Sequence, residues 1–384
     1  MQSNIRFINE LIRIVNGALH LDTEKVRNYT AFLAEKLDAE GEHSTAERLR
    51  KLLHGSDHQL RPAGAAFARV LPVDPESRFP LIEQVNTRTA EPGVLLPQRQ
   101  WDLVREFLSV AKSHAQSDAP GGASLSLLLY GPPGTGKSRL ARHIASELKL
   151  DLYLARLDGL ISSFLGSTAK NIRALFEFAS SRPCVLFLDE FDAIAKLRGD
   201  TQELGELKRV VNSFIQNLDA LGPETIVLAA TNHQDLLDSA IWRRFSYRVE
   251  FDFPTPELRS ELWGQFVPKP GFSARELKLL VDLTDGFSGS DIREACLRLE
   301  RRHQATGRAS GPEQAFEILL NLAGGEGEAR RFLSSIRKLP SSHLAAAALR
   351  RRNPKLYSHA AVAALLGVSK PTIFRWWKQE NDHA

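Results

Sequence analysis

Cysteine is almost absent from this chain of 384 residues, occurring only at Cys184 and Cys296. Two thiols cannot build a disulfide framework or a cysteine-based zinc site, and their scarcity fits a reducing compartment. No apolar run reaches the roughly 18 residues that a membrane-spanning helix requires. The opening stretch, MQSNIRFINELIRIV, breaks its apolar positions with charges and lacks both an apolar leader core and a small-residue cleavage site. A cytoplasmic protein without a membrane partner is therefore expected. There is no internal repeat. What the chain does have is 43% apolar and 25% charged residues, enough for a sizeable core and two to four domains. Its net charge of +4 is unevenly spread. From Ala329 onward eleven Lys/Arg face only Glu380 and Asp382, a net +9 that leaves −5 for the remainder. That asymmetry points either to an anionic partner for the tail or to a solvated basic face.

Helical spacing runs through Ile8, Leu11, Ile12 and Val15, then Val26, Tyr29, Phe32, Leu33 and Leu37, then Ala46, Leu49, Leu52 and Leu53. Residues 1–55 are thus expected to form a small helical module of docking type. Residues 56–93, rich in Pro, Gly and Ala, read as a linker. Over 94–252 helical patterns alternate with the short apolar runs LSLLLY, DLYLARL, CVLFLD, TIVLAAT and YRVEFDF. Apolar strands separated by helices predict an α/β domain whose parallel sheet is covered on both faces. Strand signals then stop, and 253–325 read as an all-helical subdomain, followed by a basic domain over 326–384.

Directly after LLLY stands GPPGTGKS, comprising Gly131, Pro132, Pro133, Gly134, Thr135, Gly136, Lys137 and Ser138, with Arg139 following. This is G-x-x-x-x-G-K-[ST] in a strand–loop–helix context, whose backbone N–H groups and helix N-terminus cradle phosphates. Lys137 is expected to reach the β and γ phosphates of ATP, and the Ser138 hydroxyl to hold Mg²⁺. Further on, CVLFLDEFDAI ends a buried strand in Asp189 and Glu190. Asp189 can hold Mg²⁺ through water and Glu190 can polarise the attacking water, so hydrolysis is expected rather than mere binding. TIVLAATN ends in Thr231 and Asn232, where an amide can orient the same water. IWRRF supplies Arg243 and Arg244, the residue type that stabilises charge on a transferred phosphoryl group, although a lone arginine is more often in a surface ion pair.

Together these residues resemble the AAA family of AAA+ ATPases over about Leu95 to Leu322. GPPGTGKS matches Walker A, VLFLDE Walker B, LAATN sensor 1, DSAIWRRF the second region of homology, and GFSGSDI the opening of the lid helix. The resemblance implies a P-loop AAA+ sheet domain with a helical lid, and a homo-hexameric ring in which Arg243 and Arg244 act in trans, their RRF context being similar to the spastin and katanin branch. It also places Gly289 and Ser290 near the adenine and ribose. ISSFLGSTAKNIRALFEFA is similar to the pore-loop segment, with Phe164, Leu165 and Gly166 as the triplet that grips an extended polypeptide. The reading of Phe164 as a core residue stays open. The usual entry motif before Walker A is missing, and Ser138 replaces the common threonine. The N-terminal block with its Pro-rich linker resembles bacterial AAA proteins encoded beside subtilisin-like serine peptidases, which implies such a peptidase as a partner.

Near the C-terminus, SHAAVAALLGVSKPTIFRWWKQ has the small residue, turn glycine and inner apolar positions of a helix-turn-helix, and resembles bacterial repressors over Ser358 to Gln379. Ser369 reads as a helix N-cap, with Pro371 in the first turn. Ser369, Lys370, Thr372, Arg375 and Lys378 are then candidates for DNA contact, with Arg350, Arg351, Arg352 and Lys355 near phosphates. Phe374, Trp376 and Trp377 leave a protein-contact reading open. Two functions follow: a motor that unfolds or threads a protein substrate through a hexameric pore, or a DNA-directed ATPase of loader or transposition type acting through the tail.

Overall fold

A computed structural model describes residues 7–19, 23–55, 71–74, 78–87, 93–114, 124–157, 165–194, 204–237, 239–267, 269, 271–307, 311–325 and 327–381. The chain forms two compact units, one made of residues 1–91, 99–130 and 138–250, the other of 92–98, 131–137 and 251–384.

The first unit opens with three helices, α1 (Ile8–Leu19), α2 (Thr23–Ala39) and α3 (His43–Gly55). Helix α1 turns its polar side toward the rest of the unit. Its charged residues point inward: Glu10, only 8% exposed, receives Lys36 at 2.5 Å. Arg13 donates to the Tyr29 hydroxyl at 3.0 Å and lies 3.8 Å from Glu224. Its aliphatic residues Ile8, Leu11, Ile12 and Val15 face solvent. Asn28 donates to the Ser181 carbonyl at 3.0 Å, and Lys25 also pairs with Glu224, so polar contacts hold this block against the α/β part.

The α/β part contains β1 (Glu83–Val85), α4 (Gln98–His114), β2 (Ser126–Tyr130), α5 (Lys137–Leu148), β3 (Asp151–Arg156), α6 (Leu165–Ser180), β4 (Cys184–Asp189), α7 (Leu204–Asp219), β5 (Thr225–Thr231), α8 (Ser239–Trp242) and β6 (Tyr247–Glu250). The sheet order is β1-β3-β4-β5-β2-β6, parallel except for β1. Every expected strand is present. The linker span differs from expectation, because residues 83–85 within it pair antiparallel with Leu152–Leu154 as an edge strand. Three residues carry no periodic signal, so only the tertiary pairing defines this strand. All residues of β5 are buried, as are Cys184 to Leu188 in β4. Such two-sided burial is what a parallel sheet under helices demands. Ile172, Leu175 and Phe176 of α6 and Val211, Phe214 and Leu218 of α7 close one core with the strands.

The second unit is helical: α9 (Pro256–Phe266), α10 (Ala274–Leu283), α11 (Gly289–Thr306), α12 (Pro312–Leu322), α13 (Glu328–Arg337), α14 (Ser342–Arg352), α15 (His359–Leu366) and α16 (Lys370–Asn381). Its boundaries are written in capping residues. Ser273 and Ser288 each form a reciprocal box with the acid three residues on, and Thr255, Ser341 and Ser358 cap their helices singly. Each cap contributes about 1 kcal/mol. Expected as separate domains, 253–325 and 326–384 share one core: Trp263, Leu280, Phe287, Leu299 and Leu319 pack in the same cluster as Leu333, Leu349, Tyr357, Val362 and Ile373. A polar lock reinforces it. The Asp282 carboxylate on α10 accepts from the Tyr357 hydroxyl at 2.5 Å and from Arg352 Nε at 2.9 Å.

Two tail cations expected near phosphates are thereby committed to the fold. Arg352 is paired with Asp282 and with Glu328, and Arg350 lies 4.9 Å over the Trp377 ring while donating to the Pro354 and Tyr357 carbonyls. Burial first, and then the bond to Asp282, push the Tyr357 hydroxyl above its ordinary range. A raised acid keeps its proton in the folded state, so this contribution is complete below pH about 10 and fades above it. Asp282→Ala strands both partners and is expected to cost about 2–3 kcal/mol, read as a lower denaturant midpoint. Tyr357→Phe removes one bond and should cost about 1–2 kcal/mol and shrink the alkaline loss of stability.

Candidate nucleotide-hydrolysis site

Residues of the site converge because β2, β4 and β5 end at one edge of the sheet, with Tyr130 in register with Thr231 and Leu188 with Ala229. Carboxyl-terminal strand edges are where ligands bind in open α/β sheets.

Within the second unit the phosphate loop takes backbone angles that ordinary residues avoid: φ is +131° at Gly131, +74° at Gly134 and +113° at Gly136. A methyl group at Gly131 would fall 1.9 Å from the Phe251 carbonyl oxygen, and one at Gly134 would fall 2.1 Å from Ser290 Oγ. The loop therefore closes on the start of α11. Ser290 N donates to the Gly134 carbonyl at 3.0 Å, and Ser288 Oγ lies 3.0 Å from Ser290 Oγ. Gly289 and Ser290, both expected near the nucleotide, thus stand against the loop. Lys137, 7% exposed, donates to the Gly131 and Pro132 carbonyls at 2.7 Å each, which holds its charge inside the loop. Thr135 Oγ1 bonds the Pro132 carbonyl at 2.8 Å. Gly131→Ala meets both the clash and the disfavoured φ, so a loss of nucleotide binding is expected, measurable with a fluorescent ATP analogue.

In the first unit, Ser138 Oγ donates to Asp189 Oδ2 at 3.3 Å. One hydroxyl beside one carboxylate is a hard-oxygen pair suited to Mg²⁺, an ion that takes few protein ligands and retains water and phosphate oxygens. Among the described residues no cluster of three His, Cys, Asp or Glu side chains offers a fuller metal cage. Glu190 is exposed and left-handed at φ +55°, a conformation costing about 1–3 kcal/mol in a non-glycine residue. Its N–H donates to Asp189 Oδ1 at 3.0 Å, and the next N–H, of Phe191, donates to the Ala230 carbonyl of β5 at 2.8 Å. Beneath the turn the rings of Phe191, Phe214 and Phe245 meet edge to face.

Sequence reasoning missed Asp192. It is 5% exposed and accepts from Thr231 Oγ1 at 3.3 Å, while Thr231 Oγ1 in turn accepts from His233 N at 3.0 Å. This sews the Glu190 turn to the strand end that presents the exposed Asn232. The acid in DEFDAI was the available signal, but in sequence a turn acid reads as solvated.

The two arginines are not equivalent. Arg244 Nε pairs with Asp219 Oδ1 at 2.8 Å. Arg243 is exposed, and among the described residues its guanidinium has no partner. Phe164 lies outside the described residues, and Leu165 and Gly166 open α6. On α16 Ser369 Oγ caps Thr372 N at 3.3 Å, Arg375 bonds Thr372 Oγ1 at 3.4 Å, and Lys370, Arg375 and Lys378 are exposed.

A glycine loop around a buried lysine, followed by a hydroxyl–carboxylate pair and a poised glutamate, defines a P-loop nucleoside triphosphatase. The model of the ATPase family associated with various cellular activities (AAA) matches residues 127–253. An uncharacterised AAA family ATPase of Sinorhizobium fredii is 37% identical over 276 residues, covering 68% of this chain and 81% of that protein. The proteasome-activating nucleotidase of Sulfurisphaera tokodaii is 31% identical over 265 residues, 65% of this chain and 66% of that one. Among solved structures, the FIGL-1 AAA domain in complex with ADP aligns with a TM-score of 0.53 at 25% identity, covering 68% of this chain and 91% of that one. The chain belongs to the AAA family of ATPases. It is accordingly a nucleotide-binding enzyme that hydrolyses ATP. No helix among the described residues is long and apolar enough to cross a membrane.

Proposed function

We propose that this chain is an Mg²⁺-dependent ATP motor that works as a homo-hexameric ring and unfolds, remodels or threads a protein substrate. The observation that carries this reading is the exposed Arg243, which has no partner on its own chain among the described residues, beside an Arg244 already paired. An arginine left unpaired next to a hydrolysis motif suits a neighbouring subunit's phosphates. The likeness to a proteasome-activating nucleotidase supports a protein substrate. Lys137 and the loop N–H groups hold the phosphates, and Ser138 and Asp189 hold Mg²⁺, which when bound neutralises charge on the β and γ phosphates. Glu190 takes up the water proton, Asn232 orients that water, and Gly289 and Ser290 border the nucleoside.

The Phe164–Leu165–Gly166 triplet grips the polypeptide, and the terminal modules select substrates or dock a partner such as a subtilisin-like peptidase. Phe164→Ala is expected to abolish threading of a tagged unfolded protein while ATP binding persists; unchanged threading would remove the pore role.

A second reading rests on Lys370, Arg375 and Lys378, exposed on one helix behind a turn. In it the tail holds duplex DNA and DNA stimulates turnover. Replacing all three by Ala should reduce the salt slope of DNA binding by about 3. ATPase stimulation by DNA with none by unfolded polypeptide would favour this reading over the first.

A further inference from the structure

Helix α8 is a single turn, and the two arginines follow it directly. The corner they occupy is fastened to β2 at both of that strand's ends. At the start of β2, Ser126 Oγ donates to the Arg244 carbonyl at 2.6 Å and accepts from Ser246 N at 3.2 Å. At its end, the Tyr130 ring meets the Trp242 ring edge-on, with centroids 5.3 Å apart at 77°. The indole is fixed from other directions too. Its Nε1 donates to the Leu237 carbonyl at 3.1 Å, and Arg248 lies 5.3 Å over the ring while donating to the Trp242 carbonyl at 2.8 Å. Tyr130 immediately precedes Gly131, so the residue that carries the phosphate loop also buttresses the residue that carries Arg243.

We infer that Trp242 is a positioning residue for the arginine offered to the neighbouring subunit, and that its contact with Tyr130 makes the reach of that arginine depend on the nucleotide held by the donor's own loop. The inference rests on the trans-arginine reading above. Rigid aromatic pairs suit this role, since an edge-to-face contact keeps its geometry only while both rings keep theirs. Around a reacting phosphate a displacement of about 1 Å can cost on the order of 10²-fold in rate.

The test uses mixed full-length assemblies. Arg243→Ala subunits retain a competent site but offer no arginine, and Glu190→Gln subunits offer one but do not hydrolyse. Hydrolysis by the mixture reports arginine donation. No hydrolysis in this unmodified mixture would sink the trans-arginine reading itself, separately from the role of Trp242. Trp242→Ala placed in the donor is expected to lower the signal on the order of tenfold or more, and placed in the acceptor to leave it within about twofold. Trp242→Phe and Tyr130→Phe, which keep a ring, should restore most of it. Adding Lys137→Ala to the donor, so that it holds no nucleotide, should lower the signal when Trp242 is present and have no further effect when it is Ala.

Equal losses from donor and acceptor placement, or an undiminished dependence on donor nucleotide in the Trp242→Ala background, would overturn the proposal. Assembly mass and binding of a fluorescent ATP analogue control for folding. If Trp242→Ala does not assemble, Trp242→Leu and Tyr130→Leu carry the same comparison.

Discussion

Glu190→Gln is expected to bind ATP with unchanged affinity and to turn it over about 10²–10⁴ times more slowly, the usual contribution of a positioned general base. The expectation follows from the geometry of one turn. Glu190 sits in a left-handed conformation, fixed by its own N–H on Asp189 and by the Phe191 N–H on β5. Glutamine is close in shape and inherits that backbone, so Ser138, Asp189 and the phosphate loop stay in place. Only the proton acceptor is lost. Single-turnover hydrolysis measured beside equilibrium nucleotide binding separates the two effects, and the variant is also expected to accumulate as an ATP-bound oligomer. Normal turnover in Glu190→Gln would refute the assigned role. Asp192→Ala should give a milder loss of turnover, because it loosens the link between this turn and Thr231 without removing the base.

Arg243→Ala should lower turnover by about 10³-fold or more, in the range assigned to arginine fingers, with nucleotide affinity retained. Arg244→Ala is expected to lose hydrolysis as well, but by a smaller factor and by a different route. Its guanidinium is paired with Asp219 on the same chain, so removing it frees Asp219 and slackens the corner that presents Arg243. Asp219→Asn should therefore reproduce part of the Arg244→Ala loss and fall well short of the Arg243→Ala loss. Steady-state kinetics of the three variants, followed by mixing with Glu190→Gln subunits, checks the ordering. Equal losses in Arg243→Ala and Arg244→Ala would mean that the pairing with Asp219 does not divide their roles.

How far the sequence carries depends on whether a residue's role is decided locally. LLLY, CVLFLD and TIVLAAT are strands because unbroken apolar runs have no other soluble home, and GPPGTGKS is a phosphate loop because its glycines follow a strand and precede a helix. The helix start at Ser369 was equally legible, and its hydroxyl accepts from Thr372 N. Besides Asp192 and the edge strand β1, three features were not legible. The spacing of Ile8, Leu11, Ile12 and Val15 announces a helix, yet its aliphatic face points to solvent because Glu10 and Arg13 find partners in Lys36, Tyr29 and Glu224. The basic tail counts Arg350 and Arg352 among its charges, yet Trp377 and Asp282 absorb them. Finally, RR in IWRRF looks like a matched pair, and only Asp219, some two dozen residues upstream, tells the arginines apart.

The common core of lid and tail changes what a deletion at residue 325 means. Such a cut removes no appendage. It strips Leu333, Leu349, Tyr357 and Ile373 from the cluster that also seats Trp263 and Leu319, and it leaves Asp282 facing water. The same unit contains the phosphate loop, hydrogen-bonded to Ser290. Any load placed on α16 would be delivered through packed side chains to the body that carries the phosphate loop, with the tail as a lever arm and not a tether.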